Sequence, residues 1–247
     1  MSLVVAVLLP DLLGTYGDGG NGVVLARRAA WRGIDTDLVE VSSGTPVPTA
    51  DVYCLGGGED GPEVRAAAIL AEDGALARAH ERGAAVLAVC AGFQVAGRTF
   101  PGADGRRHEG LGLLDVATTK GPGPRAVGEL VADPAVPGLP PLTGFENHGG
   151  ATTLGPGARP LGRVVVGVGN GAGEGIEGAV GERVVGTYLH GPVLARNPAL
   201  ADLLLGWAVG TELAPLDDAE ESALRSERLA AASRRGRAWR SWRSWLR

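Results

Sequence analysis

The sequence predicts an α/β fold, a mostly parallel central sheet with helices on both faces. Three observations carry that prediction. Strand-like and helix-like stretches alternate over the first hundred residues, a pattern that right-handed crossovers turn into a parallel sheet covered on both sides. An uninterrupted apolar run, Ala84 to Val89, is bounded by Gly83 and Gly92. It is too short for a helix and fits a strand buried on both faces. Three consecutive glycines, Gly56 to Gly58, follow another apolar segment, where a sheet would present its carboxyl edge.

Taken in order, Leu3 to Leu9 reads as the first strand. It lacks a basic leader and is cut by Pro10 and Asp11, so neither a signal peptide nor a membrane span is expected. Pro10 to Gly22 is a Gly/Asp/Asn-rich loop at that strand's carboxyl end, where ligands or partners dock in open α/β sheets. Val23 to Arg32 has the pattern of a short amphipathic helix stopped by Gly33. Thr36 to Val41 alternates polar and apolar residues, as an edge strand does. A Pro-containing loop leads into a third strand, Asp51 to Leu55, and the glycine run. That run lacks the Lys-Ser/Thr of a phosphate loop and is too short for a dinucleotide fingerprint. It is either a plain turn or a set of backbone N–H groups aimed at a neighbouring strand's nucleophile, an oxyanion hole. Pro62 to Arg82 is Ala-rich and helical, with a break at Gly74 and a stop at Gly83.

Beyond the Ala84–Val89 strand and its helix the pattern changes. Leu113–Thr119, Ala126–Val131, Leu161–Val168 and Val184–Leu189 are β segments separated by Gly and Pro, expected to extend or flank the sheet. Asn197 to Val209 closes the body as a helix. Residues 1–213 are thus expected to form one domain, and 214–247 a charged helical tail.

Composition limits the function classes. The two cysteines, Cys54 and Cys90, offer no disulfide framework and suggest a reducing cytoplasm. The net charge of −5 hides an asymmetry: residues 218–247 carry eight Arg against four acids, leaving the body at −9. An acidic body does not suggest a nucleic-acid binder.

The chemistry gathers at Cys90. A strand that ends on Cys and turns at once into a helix is the cysteine form of a nucleophile elbow. The helix N-terminus beyond it would favour thiolate over thiol. The plain alternative is a buried core cysteine, as Cys54 is expected to be. A cysteine nucleophile needs a base, usually His. His80 falls on an exposed helix side and His108 in a polar loop, whereas His148 and His190 both end short β segments. His190 is favoured, because it follows the stronger strand and Gly191-Pro192 turns the chain after it.

Gly-Gly-Gly after one strand, Cys-Ala-Gly-Phe-Gln after the next and Tyr-Leu-His about a hundred residues later resemble class I glutamine amidotransferases, and more narrowly their CobB/CobQ-like branch. Four stretches, PDLLGTYGDGGN (10–21), LGGGED (55–60), GFENHGG (144–150) and GTYLHGPVLARNP (186–198), are similar to the glutaminase subunits of lipid II isoglutaminyl synthases. The resemblance covers roughly residues 3–210. It implies a flavodoxin-like fold and hydrolysis of L-glutamine, with Cys90 attacking the side-chain amide and His190 moving protons. It further implies oxyanion donors at Ala91 and Gly57, and contacts to glutamine from Gln94 and Arg125. Arg125 would hold the substrate carboxylate; otherwise it is an ordinary surface arginine. The implied partner is a MurT-type Mur-ligase subunit that carries ATP and Mg²⁺ and amidates the D-glutamate α-carboxylate of the lipid II stem peptide. No metal and no cofactor is expected in this chain itself. The alternatives are amidation of another acceptor such as cobyrinate, and a non-catalytic binding module.

One departure from most class I members, shared by the narrower glutaminase group, and one stretch outside the resemblance remain. Most class I members carry an acid two residues after the His, where this chain has Pro192. A carboxylate supplied by the partner is therefore expected to orient His190. The tail SRRGRAWRSWRSWLR sets Trp239, Trp242 and Trp245 three apart among arginines. As a helix it has the signature of a membrane-surface contact. Packing on a partner or on the body, and disorder, are the other readings.

Overall fold

The computed structural model describes residues 2–245, with side chains described as far as residue 232. Its first half is the alternation that the sequence predicts. β1 (Leu3–Leu8) is followed by α1 (Gly20–Ala30), β2 (Thr36–Val41) and β3 (Val52–Leu55). Then come α2 (Asp60–Asp73), α3 (Ala75–Glu81), β4 (Ala85–Val89) and α4 (Ala91–Ala96). Gly74 divides α2 from α3 by entering the left-handed region at φ 65°, which costs glycine nothing and other residues about 1–2 kcal/mol.

The second half supplies β5 (Thr99–Pro101), β6 (Arg107–Glu109), β7 (Val116–Lys120), β8 (Ala126–Pro134), β9 (Leu142–His148) and β10 (Gly150–Leu154). β11 (Gly162–Val166), β12 (Ile176–Glu177), β13 (Ala179–Val180), β14 (Val184–Thr187), α5 (Val193–Arg196), α6 (Pro198–Val209) and α7 (Ala219–Trp245) complete the chain.

The central sheet runs β13-β14-β4-β3-β1-β2. Every pairing in it is parallel except β13 with β14. β4 is buried along its whole length and lies inside the sheet, whereas β2 lies at the edge with most of its side chains exposed. Burial therefore explains why β4 is purely apolar and β2 is not; each fully buried Val or Leu contributes about 1.5–3 kcal/mol. Because β1, β3, β4 and β14 are mutually parallel, the loops after all four emerge on one rim.

The β-rich half departs from expectation. Only β13 and β14 extend the central sheet. The remaining strands form two further four-stranded sheets, β10-β7-β5-β6 and β12-β11-β8-β9. The chain passes from one to the other at Gly149, since β9 pairs with β8 while β10 pairs with β7. β9 is the short β segment expected to end at His148, although Gly144 and the polar run Glu146-Asn147-His148 interrupt any apolar alternation; β10 is not among the expected segments.

The helix that opens the tail is docked on the body. Arg28, buried in α1, bonds both oxygens of Asp202 in α6 and both of Asp218 just before α7, at 2.6–2.9 Å. Further along, the Arg225 guanidinium donates to the Pro141 carbonyl, and Ala232 is fully buried. The Trp239, Trp242 and Trp245 side chains lie outside the described residues. Among the described residues no helix is long and apolar enough to cross a membrane.

Candidate active site

Cys90 sits where β4 becomes α4, with φ 53° and ψ −108°. This is a strained backbone for a residue with a Cβ, of order 1–3 kcal/mol, and such strain persists only where surrounding contacts enforce it. Here they do. The Cys90 N–H is held by the Thr187 carbonyl at 2.8 Å, and the Gly92 N–H by the Gly56 carbonyl at 3.0 Å. A side chain at Gly92 would meet Leu55 and the Gly56 carbonyl at 2.7–2.9 Å, so only glycine lets the helix start this close to β3.

His190 lies just past β14, the strand beside β4. Its backbone pairs with Phe145, and its ring stacks on the Phe145 ring with centroids 5.1 Å apart. Nδ1 is 2.9 Å from Asp18 Oδ2, and both side chains are fully buried. His190 Nε2 is buried with no hydrogen-bond partner. Asp18 comes from the loop after β1, 172 positions away in sequence, and also accepts the Gly57 N–H at 2.9 Å. An imidazole pinned at Nδ1 by a buried carboxylate keeps its proton there and presents a bare Nε2, the tautomer a general base requires.

Gly57 is the hinge of this cluster. A Cβ there would stand 2.7 Å from His190 Cε1, 3.1 Å from Asp18 Oδ2 and 3.4 Å from Cys90 Cβ. The thiol, the imidazole and the carboxylate therefore converge around a residue with no side chain.

Three sequence expectations change. A carboxylate from a partner is not needed to orient His190, because Asp18 of the same chain does so. Pro192 stands at the usual acid position, and the loop after β1 supplies the acid instead. Asp18 could have been found in the Asp-bearing loop at the carboxyl end of β1, but only the loop's path shows that it reaches His190. Gly57 does not offer a free oxyanion donor, since its N–H is engaged by Asp18; the glycine of that run lining the cavity is Gly58. The thiolate expectation also fails. Burial pushes the Cys90 thiol up to about 12, the nearby carboxyls of Glu63 and Asp18 push the same way, and the Ala91 N–H and Arg125 only partly oppose them. Cys90 thus rests as a thiol that a base must deprotonate.

A cavity of about 380 Å³ opens over Cys90, lined in part by Gly58, Glu63, Ala91, Gln94 and Arg125. It is large enough for a free amino acid. Arg125 lies at its mouth, donating through Nη2 to the Asn147 carbonyl at 3.0 Å and through Nε to the Asn147 side chain. The same Asn147 carbonyl is 4.0 Å from Cys90 Sγ. Gln94 is buried on α4 beside the thiol's strand. His148 also lines the cavity, but its Nδ1 donates to the Gly150 carbonyl at 3.1 Å and its ring stacks on Tyr188 with centroids 3.7 Å apart. Its nearest carboxylate, Glu146, stays 3.8 Å away. His80 and His108 lie elsewhere, on α3 and β6. Cys54 is buried within β3, and burial pushes its thiol up to about 12. Among the described residues no cluster of His, Cys, Asp and Glu is arranged to hold a metal ion.

Comparison with known proteins agrees with this geometry. Residues 4–198 match the CobB/CobQ-like glutamine amidotransferase domain. Over 221 residues the chain is 34% identical to the lipid II isoglutaminyl synthase (glutamine-hydrolyzing) subunit GatD of Staphylococcus aureus, covering 88% of this chain and 89% of that one. It is also 34% identical over 215 residues to the GatD subunit of Streptococcus pneumoniae, covering 84% and 80%. Among solved structures, PurLQS from Thermotoga maritima superposes with a TM-score of 0.57 at 18% identity, covering 85% of this chain and 96% of that one, a likeness of fold. The expected flavodoxin-like architecture and the rim that gathers Cys90, His190 and Asp18 meet in one assignment: the chain belongs to the CobB/CobQ-like family of class I glutamine amidotransferases.

Proposed function

We propose that the chain is the glutaminase subunit of a lipid II isoglutaminyl synthase, releasing ammonia from L-glutamine for a MurT-type ligase subunit. The single observation that carries the chemistry is the buried, partnerless Nε2 of His190, with Nδ1 held by Asp18 at 2.9 Å and Cys90 packed against the same glycine.

In this reading the substrate amide enters the cavity over Cys90 while Arg125 turns from Asn147 to grip the α-carboxylate, a pairing that suits a guanidinium fork. Gln94 steadies the substrate beside the thiol. His190 Nε2 takes the thiol proton as Sγ attacks the amide carbon, which removes the need for a preformed thiolate. The resulting oxyanion is held by the N–H of Ala91, with the Gly58 backbone as the second donor, each worth about 3 kcal/mol of barrier. His190 returns the proton to the departing nitrogen, ammonia leaves, and a γ-glutamyl thioester remains on Cys90. Water, deprotonated by the same Nε2, then hydrolyses the thioester to glutamate and restores the thiol. The chain needs no cofactor for these steps. ATP and Mg²⁺ serve the partner, which activates the D-glutamate α-carboxylate as an acyl phosphate for ammonia to attack. The GatD relatives are themselves named as subunits of a lipid II synthase, which supports both the acceptor and the heterodimer. The complex would work in the cytoplasm, at the membrane face where lipid II is presented.

The test is reconstitution with the MurT-type subunit, lipid II, ATP and glutamine. Amidation of lipid II supported by glutamine only when both chains are present is the expected result. Amidation by the ligase unaffected by this chain would reject the assignment. The packing at Gly57 gives a sharper local check. Gly57→Ala inserts a methyl between His190 and Cys90, and a misplacement of this size costs about 100-fold in turnover. Glutaminase kinetics below the variant's melting temperature, which this overpacking should lower, would show it; turnover within threefold of wild type would mean that the close approach is incidental.

A further inference from the structure

The cavity over Cys90 contains an acid that the chemistry above leaves idle. Glu63 projects from the first turn of α2, is 3% exposed and lines the cavity with Gly58, Cys90, Gln94 and Arg125. Among the described residues its carboxyl makes no hydrogen bond, and Oε1 is buried with no partner. A buried carboxyl without partners is costly, and an isolated charge there more so. Burial, reinforced by Asp60, pushes the group up to about 9, so it waits as a neutral acid.

Glutamine presents three polar ends. The reading above occupies two, the amide at Cys90 and the α-carboxylate at Arg125. The third is an ammonium, which brings donors and needs acceptors. The carboxyls lining the cavity belong to Asp60 and Glu63, and Asp60 is exposed to solvent. We propose that Glu63 is the acceptor for the substrate α-ammonium, the residue that makes the site select an α-amino acid over a simple carboxamide. The proposal rests on the glutaminase reading and names one of its contacts. The other titratable or charged groups facing this space are Asp60 from its own helix, Cys90, and Lys120, Arg125 and His148 from the neighbouring strands and loops. Arriving ammonium would draw the proton off Glu63 to solvent, leaving a carboxylate paired where it had been unpaired.

The test uses the full chain and two substrates, L-glutamine and 4-carbamoylbutanoate, which keeps the amide and the carboxylate but lacks the amine. Glu63→Gln should raise KM for L-glutamine about 30-fold or more, with kcat within threefold, and leave KM for the analogue within threefold of wild type. Glu63→Asp, which keeps an acid, should recover most of the lost affinity. The fold should tolerate Glu63→Gln. Between the ordinary carboxylate value and pH 9 the folded chain holds a proton on Glu63 that the unfolded chain releases, so this group makes stability fall as pH rises. The amide variant should therefore melt no lower than wild type at pH 8. KM for L-glutamine unchanged in Glu63→Gln, or KM for both substrates raised equally, would overturn the proposal. So would a fall in kcat alone. A wild-type chain that hydrolyses neither substrate, alone or with its ligase, would instead remove the glutaminase reading and this contact with it.

Discussion

Replacing Asp18 by Asn is expected to lower kcat for glutamine hydrolysis by about 10³–10⁴-fold while leaving KM within a few-fold, as loss of the third member does in a related triad. The carboxylate accepts from both His190 Nδ1 and the Gly57 N–H at 2.9 Å. Both bonds end on one oxygen, Oδ2, and the other oxygen, Oδ1, is buried without a partner. If the amide oxygen takes the place of Oδ2, both contacts persist but the negative charge that stabilises the imidazolium is lost. If the NH₂ takes that place instead, it confronts both donors: the imidazole proton is driven to Nε2, where it blocks uptake of the thiol proton, and Gly57 shifts, and with it the seat of Cys90. Either way the relay fails without a large change in shape. Steady-state glutaminase kinetics with a thermal melt as control measure it. Turnover within fivefold of wild type, or restoration of the variant by the partner subunit, would mean that the orienting acid comes from elsewhere.

The second large effect concerns the thiol. Cys90→Ala is expected to abolish glutamine-dependent ammonia release, a loss of about 10⁶-fold by analogy with removal of a nucleophile from a hydrolase triad. The cavity loses only a sulfur, so glutamine should still bind. Because the acceptor chemistry belongs to the partner in this account, a complex built with Cys90→Ala should still amidate its acceptor when ammonium salt replaces glutamine. The paired result, glutamine-dependent activity lost and ammonium-dependent activity kept, separates a damaged glutaminase from a damaged complex. Loss of both would show that Cys90 matters for assembly or folding instead.

The parts of the molecule that the sequence reveals are those governed by local rules. The β4–Cys90–α4 corner is legible because five buried apolar residues end abruptly at a cysteine flanked by small residues, and nothing else satisfies that pattern. Gly74 announces its helix break, and the polar alternation of Thr36–Val41 announces an edge, for equally local reasons. His190 is legible as a residue at a strand's carboxyl end. What escapes is decided by loops and by the third dimension. Asp18 reaches His190 only because β1 and β14 lie in one sheet, with β4 and β3 between them, and because the loop after β1 folds back over that rim. Nearness to His190 in sequence does not reveal the acid, which lies 172 positions away. The thiol's protonation state escapes too, because burial outweighs the short α4 helix. Glu63 reads as an ordinary acid favouring a helix N-terminus, and only its burial without partners marks it out. The two outer sheets stay hidden because β9 and β10 are separated by a single glycine and carry polar residues toward the site.

The central claim is that Cys90, held by its elbow and served by His190 and Asp18 of the same chain, is the atom glutamine meets. An L-glutamine analogue carrying a diazoketone in place of the carboxamide tests it directly, since such a group alkylates a thiol only where the site activates it. Peptide mass mapping after labelling should find one adduct per chain, on Cys90, protected by excess L-glutamine and slowed at least 100-fold in Asp18→Asn. Labelling that falls on Cys54, or that proceeds on Cys90 at the same rate whether or not Asp18 is present, would contradict the account.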